Sequence, residues 1–210
     1  MTDTLNDVEH FGNHIYILNK PEFLDVVKPV ALKELNKMKV ADKMFPVLQT
    51  PHIFDESFQE FANFIAQSAW NILSNQGYAM QQYNTLLNEL WAQQFNMYGQ
   101  QYEHIHNFGA QISGFYFLEV PKNSSRAIFH DPNHAKRQIN LPELDMSKVT
   151  PASTAVNYEV KPGDIILFNS WLPHSFAPNA SSKPFRFLHF NVTVAPVQQS
   201  CEIPPAAEII

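Results

Sequence analysis

From Trp91 onward, the apolar residues of this chain come in short stretches separated by residues that favour turns. Runs of this length, bounded by proline, glycine and asparagine, are typical of β-strands, and helical spacing is largely missing. Pro162 and Gly163 form one such turn, directly before an apolar run that begins at Asp164. The pattern therefore predicts that this part of the chain is built mainly from β-strands.

The preceding part of the chain has helical periodicity. Between Asp55 and Gly77, apolar side chains recur every three or four residues, as on one face of an amphipathic helix. Asp55 is suited to cap the beginning of this helix, and Gly77 is suited to end it. A shorter surface helix is predicted within residues 21–39. The expected fold class is mainly β with N-terminal helices.

The length of the chain limits the number of domains. With 210 residues, of which 45% are hydrophobic, the chain can bury one substantial core but is short for two. We predict a single domain that spans residues 1–210. In it, a helical part at about residues 20–78 packs on a β part at about residues 88–196.

Charge and cysteine content limit the partners and the compartment. The formal net charge of -6 disfavours nucleic acid and anionic membranes, which attract basic surfaces. Cys201 is the only cysteine, and residues 1–10 lack the basic start and apolar core of an export signal. We therefore expect a cytoplasmic protein. Edge strands and the helices offer surfaces for a homodimer.

Two histidines lie one residue apart, directly before an apolar run. Alternate side chains of a strand point to the same face, so His104 and His106 would share one face. Two imidazoles on one face can bind one metal ion. His174, which follows the apolar run of the predicted strand at 164–168, is the candidate third ligand. These three histidines are the predicted metal-binding and catalytic residues.

Arg186 begins a strand with a strictly alternating pattern. It shares a face with Leu188, Phe190 and Val192, and this apolar face indicates contact with a core. A buried guanidinium without a partner is costly, so an anion is expected nearby. Arginine binds carboxylates through two parallel hydrogen bonds. A metal ion and an internal arginine together indicate a bound oxo-acid cosubstrate.

Several short motifs of the C-terminal half occur together in a recognisable order. They are Trp91, the pair His104 and His106, SGFYFL from Ser113, FHDP from Phe129, KPGDIILF from Lys161, His174, Arg186, and FN at Phe190 and Asn191. With them, the sequence resembles the 2-oxoglutarate and Fe(II)-dependent oxygenases, in particular a bacterial and phage branch with an H-x-H pair, a distal histidine and an arginine. Each motif is weak alone, and their order makes the combination more specific.

The resemblance implies a double-stranded β-helix core, a jelly-roll of the cupin type, flanked by helices. It implies an oxidoreductase, a dioxygenase that uses Fe(II), 2-oxoglutarate as small-molecule cosubstrate, and dioxygen. The far carboxylate of 2-oxoglutarate would pair with Arg186. Oxidative decarboxylation of this cosubstrate would be coupled to oxidation of a substrate C–H bond. Hydroxylation of a peptidyl or prolyl residue, or of a small molecule, is the outcome to test first.

This sequence departs from the pattern of the family at two positions. The usual metal site has two histidines and a carboxylate, and here His106 takes the position of the carboxylate. Asp131 is held in reserve as an alternative ligand. The residue two positions after the arginine is often a hydroxyl residue that helps to hold the cosubstrate, whereas Leu188 cannot donate a hydrogen bond. Tyr116 is the candidate replacement, and Tyr102 is the second choice.

Two other functions remain open at this point. One is a cupin-type metalloenzyme that uses three histidines without 2-oxoglutarate, and the other is a non-catalytic jelly-roll that binds or assembles. His189 alternates with Arg186 onto the opposite face and is expected to be structural. Trp91, Phe115 and Phe117 are expected to fill the core.

Overall fold

The computed structural model describes residues 12–41, 43–106, 108–138 and 141–197. The predictions made for residues 1–10 and for Cys201 lie outside these residues. No helix in the described ranges has the length and apolar character that crossing a membrane requires.

The described residues form ten strands and two α-helices. In chain order they are β1 (Ile15–Asn19), α1 (Leu24–Leu35), β2 (Val47–Gln49), α2 (Gln59–Asn75), β3 (Tyr83–Phe95), β4 (Gln101–His104), β5 (Ala110–Glu119), β6 (Ala127–His130), β7 (Ala155–Asn157), β8 (Asp164–Asn169), β9 (His174–Phe176) and β10 (Phe185–Pro196).

The strands form two antiparallel sheets. The large sheet has the order β1-β8-β5-β10-β3-β2, and the small sheet has the order β4-β9-β6-β7. Apolar side chains from both sheets meet in one buried cluster that is rich in phenylalanine, so the sheets face each other. This is a jelly-roll arrangement, and the predicted fold class, mainly β with N-terminal helices, is confirmed.

The helices cover the other face of the large sheet. A second buried cluster joins α1 and α2 to side chains of β3, β5, β8 and β10. The predicted helix between Asp55 and Gly77 is confirmed as α2. Asp55 caps a short 3-10 turn that leads into α2, because its Oδ1 accepts a hydrogen bond from the Ser57 N–H at 3.0 Å. Gly77 follows the helix with a φ of 95°.

Strand β10 shows how one strand serves two cores. Leu188, Phe190 and Val192 pack in the cluster between the large sheet and the helices. Phe185 and Phe187 pack in the cluster between the two sheets. Alternate residues of β10 therefore face two different interiors, and both of them are apolar.

Candidate metal centre

The backbone brings two of the predicted ligands directly opposite each other. Strands β4 and β9 pair antiparallel, with His104 and His174 as cross-strand partners. His106 lies just beyond β4, where its backbone N–H donates to the carbonyl oxygen of Ser170 at 2.9 Å. This hydrogen bond holds the segment after β4 against the chain that leads into β9, so His106 is fixed beside the other two.

The ligand atoms of the three histidines lie close enough to share one metal ion. One ring nitrogen from each of His104, His106 and His174 lies within 4.8 Å of the other two. The Nε2 atoms of His106 and His174 are 3.2 Å apart. Two metal–nitrogen bonds of about 2.1 Å, at 90–110° to each other, would place their nitrogens about 3.0–3.4 Å apart. The observed spacing therefore suits a divalent metal ion.

Hydrogen bonds to backbone carbonyls orient two of the rings. Nδ1 of His104 lies 2.7 Å from the carbonyl oxygen of Tyr102, and Nδ1 of His174 lies 3.0 Å from that of Leu172. A carbonyl can only accept, so Nδ1 carries the proton in each ring and donates it. The lone pair of each of these two rings is then on Nε2, which is the nitrogen that can bind a metal ion.

Burial keeps two of these imidazoles in the form that binds metal. Desolvation, and then the neighbouring His104, lower the pKa of His106 from 6.5 to about 4. Desolvation and the same neighbour lower the pKa of His174 from 6.5 to about 3. Both rings are neutral at pH 7, and a neutral imidazole is the metal ligand.

The histidine that sequence reasoning assigned a structural role belongs to the same region. The His189 ring is buried, and its centroid lies 4.5 Å from that of His106 and 4.4 Å from that of Trp91. Burial lowers the pKa of His189 well below its ordinary value. Strand alternation placed His189 on the face opposite Arg186, but it did not show which interior that face meets.

Arg186 does not lie with the histidines. Its guanidinium pairs with the Glu119 carboxylate, and its Nε donates to Oε1 of Gln94 at 2.6 Å. Glu119 also pairs with Lys28 of α1 at 3.0 Å. The predicted position of this guanidinium in the metal site is wrong. Arg186 and the apolar residues on its side of β10 face the helices and not the small sheet.

Tyr116 lies on the same helix-facing side. Its hydroxyl donates to the backbone oxygen of Lys20 at 2.8 Å, and its ring centroid is 5.1 Å from that of Phe61 in α2. Burial raises the pKa of this phenol. The expected hydrogen bond from Tyr116 to a cosubstrate at the histidines is likewise misplaced, since the phenol packs between the large sheet and the helices.

The reserve ligand Asp131 is engaged elsewhere. Its carboxylate accepts from Lys136 Nζ at 2.7 Å and from the Asn133 N–H at 2.8 Å. These contacts lower its pKa against the opposing effect of burial. Among the described residues, the group that can hold a metal contains the three histidines and no carboxylate.

A small cavity opens beside the histidines. Its volume is about 100 Å³, and its lining side chains are Gln49, Trp91, Gln93, Gln101, His104, His106, Phe115, Phe176 and His189. The much larger groove that Arg186 lines, of about 920 Å³, lies between α1 and the ends of β5 and β10 in the large sheet. The larger groove is thus separate from the metal centre.

Comparison with known proteins agrees with this geometry. Residues 89–191, which include all three histidines, match a family described as "Putative 2OG-Fe(II) oxygenase". No curated protein matches the sequence of the chain.

Solved structures of low sequence identity share the fold. A prolyl-4-hydroxylase from Pseudomonas putida is 11% identical, with a TM-score of 0.57 over 86% of this chain and 92% of that one. AviO1 from Streptomyces viridochromogenes is 13% identical, with a TM-score of 0.62 over 86% and 90%. HygX from Streptomyces hygroscopicus, solved with nickel, 2-oxoglutarate and hygromycin B, is 14% identical, with a TM-score of 0.55 over 86% and 83%. The family match over residues 89–191, the shared fold and the three-histidine site all relate this chain to the 2-oxoglutarate and Fe(II)-dependent oxygenases, enzymes whose cofactors are iron and 2-oxoglutarate.

Proposed function

We propose that His104, His106 and His174 hold Fe(II) and that the chain hydroxylates a peptidyl residue or a small molecule. The observation that supports this most directly is the 3.2 Å spacing of two Nε2 atoms in neutral rings, one of them buried and the other partly buried. Bound iron and 2-oxoglutarate would supply the oxidation of a substrate C–H bond, with dioxygen as cosubstrate. No other group of three ligands was found among the described residues.

The residues of the chain have two tasks in this reaction. The carbonyls of Tyr102 and Leu172 hold two imidazoles in the tautomer that binds metal. The aromatic wall formed by Phe115, Phe168 and Phe176, whose rings lie near the histidines or next to one another, keeps water from the inner side of the site. Excluding water protects a reactive site from side reactions.

The outer side of the site is apolar and exposed. Tyr102 precedes the two ligands, Ile105 lies between them and Phe108 follows them, and these residues are 65%, 53% and 92% exposed. The Phe45 ring lies 6.0 Å from that of Tyr102. Exposed apolar groups beside a metal centre favour a substrate with an apolar or proline-containing segment. The shared fold of the Pseudomonas prolyl-4-hydroxylase makes prolyl peptides a reasonable first choice.

Other parts of the proposal rest on the sequence. The net charge of -6 favours a substrate other than nucleic acid. We also propose that the protein works in the cytoplasm, without a membrane partner, as one domain and in a homodimer. Size-exclusion chromatography with light scattering tests the last point, and a monomer at micromolar concentration would contradict it.

The central test is the formation of succinate. Purified protein with Fe(II), 2-oxoglutarate and oxygen should release succinate, and a prolyl peptide or small molecule that is a substrate should increase the rate and gain one oxygen atom by mass spectrometry. The His174→Ala variant should abolish both signals. Turnover that persists in His174→Ala would contradict the proposed metal site.

A further inference from the structure

The cavity beside the histidines has a polar lining without cations. Gln49, Gln93 and Gln101 line it together with Trp91, and its lining among the described residues includes no lysine or arginine. A cosubstrate that chelates iron through its 1-carboxylate and 2-oxo groups needs this cavity only for two methylene groups and its far carboxylate. The question is which groups of the chain bind that carboxylate.

Trp91 offers a buried hydrogen-bond donor. Its Nε1 is buried and has no hydrogen-bond partner among the described residues. The indole stacks between His52 and His189, with ring centroids 5.5 and 4.4 Å away, so its position is fixed. A buried donor without an acceptor destabilises a folded protein. An acceptor placed in the cavity would relieve this cost.

Gln93 offers a second donor from the same strand. It is only 6% exposed, and its Nε2 donates to Oε1 of Gln49 at 3.0 Å. A primary amide carries two N–H bonds, so Gln93 has a second one to donate. Gln94, the next residue of β3, bonds to Arg186 on the other face of the sheet.

Because of the charge of the metal centre, neutral hydrogen-bond donors are sufficient to bind the far carboxylate of 2-oxoglutarate. In the usual site, one carboxylate ligand reduces the charge of Fe(II) to one, and an arginine compensates the second charge of the 2-oxoglutarate dianion. Here three neutral imidazoles leave the iron with its two positive charges, which balance the dianion without an arginine. This site thus lacks both the carboxylate ligand and the internal arginine. With 2-oxoglutarate bound, its net charge is the same as that of the usual site.

We propose that Trp91 and Gln93 bind the far carboxylate of 2-oxoglutarate in this chain and that Arg186 does not. This inference rests on the proposed function, since it requires iron at the three histidines. Arg186 instead joins β10 to Glu119 of β5, and through Glu119 to Lys28 of α1.

The test measures cosubstrate binding without turnover. The full chain, loaded with Fe(II) under anaerobic conditions, is titrated with 2-oxoglutarate while the visible charge-transfer band is followed. Gln93→Leu and Trp91→Phe should each raise the apparent Kd about tenfold or more, as expected for lost hydrogen bonds to a charged group. Two matched controls, Gln94→Leu and Trp70→Phe, should change it by less than about twofold. Arg186→Gln should also leave it within about twofold.

A second ligand separates a lost contact from a damaged site. 2-Oxopentanoate has a methyl group in place of the far carboxylate, so the wild-type protein should bind it at least tenfold more weakly than 2-oxoglutarate. The Gln93→Leu variant should lose most of this preference. If that variant does not fold, the preference measured in Trp91→Phe answers the same question.

The outcomes distinguish this inference from the proposed function. Unchanged affinity in both Gln93→Leu and Trp91→Phe, or a loss in Arg186→Gln as large as theirs, would overturn the inference and leave the function in place. Wild-type protein that binds iron and develops no band with 2-oxoglutarate would overturn both. Iron content, measured for every variant, should equal that of the wild type.

Discussion

At the scale of single residues, the decisive feature is the neutrality of the ligand set. His174 is completely buried, and its Nδ1 is committed to the carbonyl of Leu172. The ring nitrogen of His174 that remains available to a metal ion is Nε2, which lies 3.2 Å from Nε2 of His106. Nδ1 of His104 is likewise committed to the carbonyl of Tyr102, so each of these two rings has one nitrogen available for metal. The loss of one of the three rings leaves two ligands.

Replacing His174 tests this ligand set directly. His174→Ala should reduce bound iron to background after gel filtration, because two imidazoles hold a divalent ion weakly. His130→Ala is the matched control, since His130 lies on the adjacent strand β6 and bonds to Ser175 Oγ at 2.8 Å. It should retain iron at the wild-type level. Equal iron content in the two variants, measured by plasma mass spectrometry, would argue against His174 as a ligand.

The low pKa values of the ligands predict a pH dependence of stability in the metal-free protein. Between pH 6.5 and about 4, the unfolded chain binds protons at His106 and His174 that the folded chain does not bind. The free energy of unfolding should therefore fall as the pH is lowered through this window. Each of the two histidines should contribute about 2 kcal/mol between pH 7 and pH 5.

Urea denaturation of metal-free protein at pH 7 and pH 5 measures this effect. The His106→Asn variant should show a smaller difference between the two pH values than the wild type, because one of the histidines with a lowered pKa is gone. The same difference in both proteins would show that other groups cause the pH dependence.

At the scale of elements, the backbone of β5 lies unusually close to its two neighbouring strands, β8 and β10, at Gly114. A Cβ atom at Gly114 of β5 would lie 2.5 Å from the Ile166 carbonyl oxygen of β8 and 2.5 Å from the Phe190 ring of β10. The backbone oxygen cannot move without shifting β8. Only glycine leaves room here, which explains the SG pair at the centre of β5.

Gly114→Ala should therefore destabilise the protein. Overpacking of a core typically costs about 1–3 kcal/mol, and we expect a value in the upper part of that range because a strand backbone has to move. Chemical denaturation, compared with the wild type, measures the change. A loss below about 0.5 kcal/mol would mean that β8 adapts and that the close approach is not essential.

The sequence was sufficient to predict most helices and strands, but it did not show which interior some of the side chains face. Helix α2 and the long strands could be predicted from periodicity and turn residues. Strand β1 could not, because its five residues, IYILN, are too few to show a period, and its identity depends on pairing with β8. The candidate ligands His104, His106 and His174 could be selected from the sequence because histidines at this spacing, with a third one further along the chain, stand out chemically.

Arg186 shows the limit of strand alternation most clearly. Alternation correctly gave the residues that share its face, but it could not tell which core that face meets. Phe187 on one face and Leu188 on the other are both completely buried. When both faces of a strand are apolar, only the packing of the helices decides which one lies inside the barrel. The same ambiguity concealed His189.

At the scale of the whole molecule, the metal centre links parts of the chain that are far apart. Two ligands lie on neighbouring strands of the small sheet, and the third is anchored to Ser170, just beyond the large sheet. A metal ion bound there stabilises the folded state and not the unfolded state, so it raises the free energy of unfolding.

Divalent metal should therefore raise the melting temperature. Zn(II), used as a redox-inert probe at about 100 times its Kd, should add about 2.7 kcal/mol. Mg(II) is the control, since it prefers oxygen ligands and should have no effect. Thermal unfolding followed by circular dichroism gives both values, and an equal response to the two ions would exclude a specific imidazole site.

The pairing of β4 with β9 has a consequence for the synthesis of the protein. His174 follows His104 by most of the length of the jelly-roll, so a chain still emerging from the ribosome has at most two of the three ligands until β9 has been made. Iron capture must then follow the closure of the small sheet. A chain that takes up iron only at that stage would not hold a partly coordinated, oxygen-reactive iron atom next to its exposed aromatic side chains.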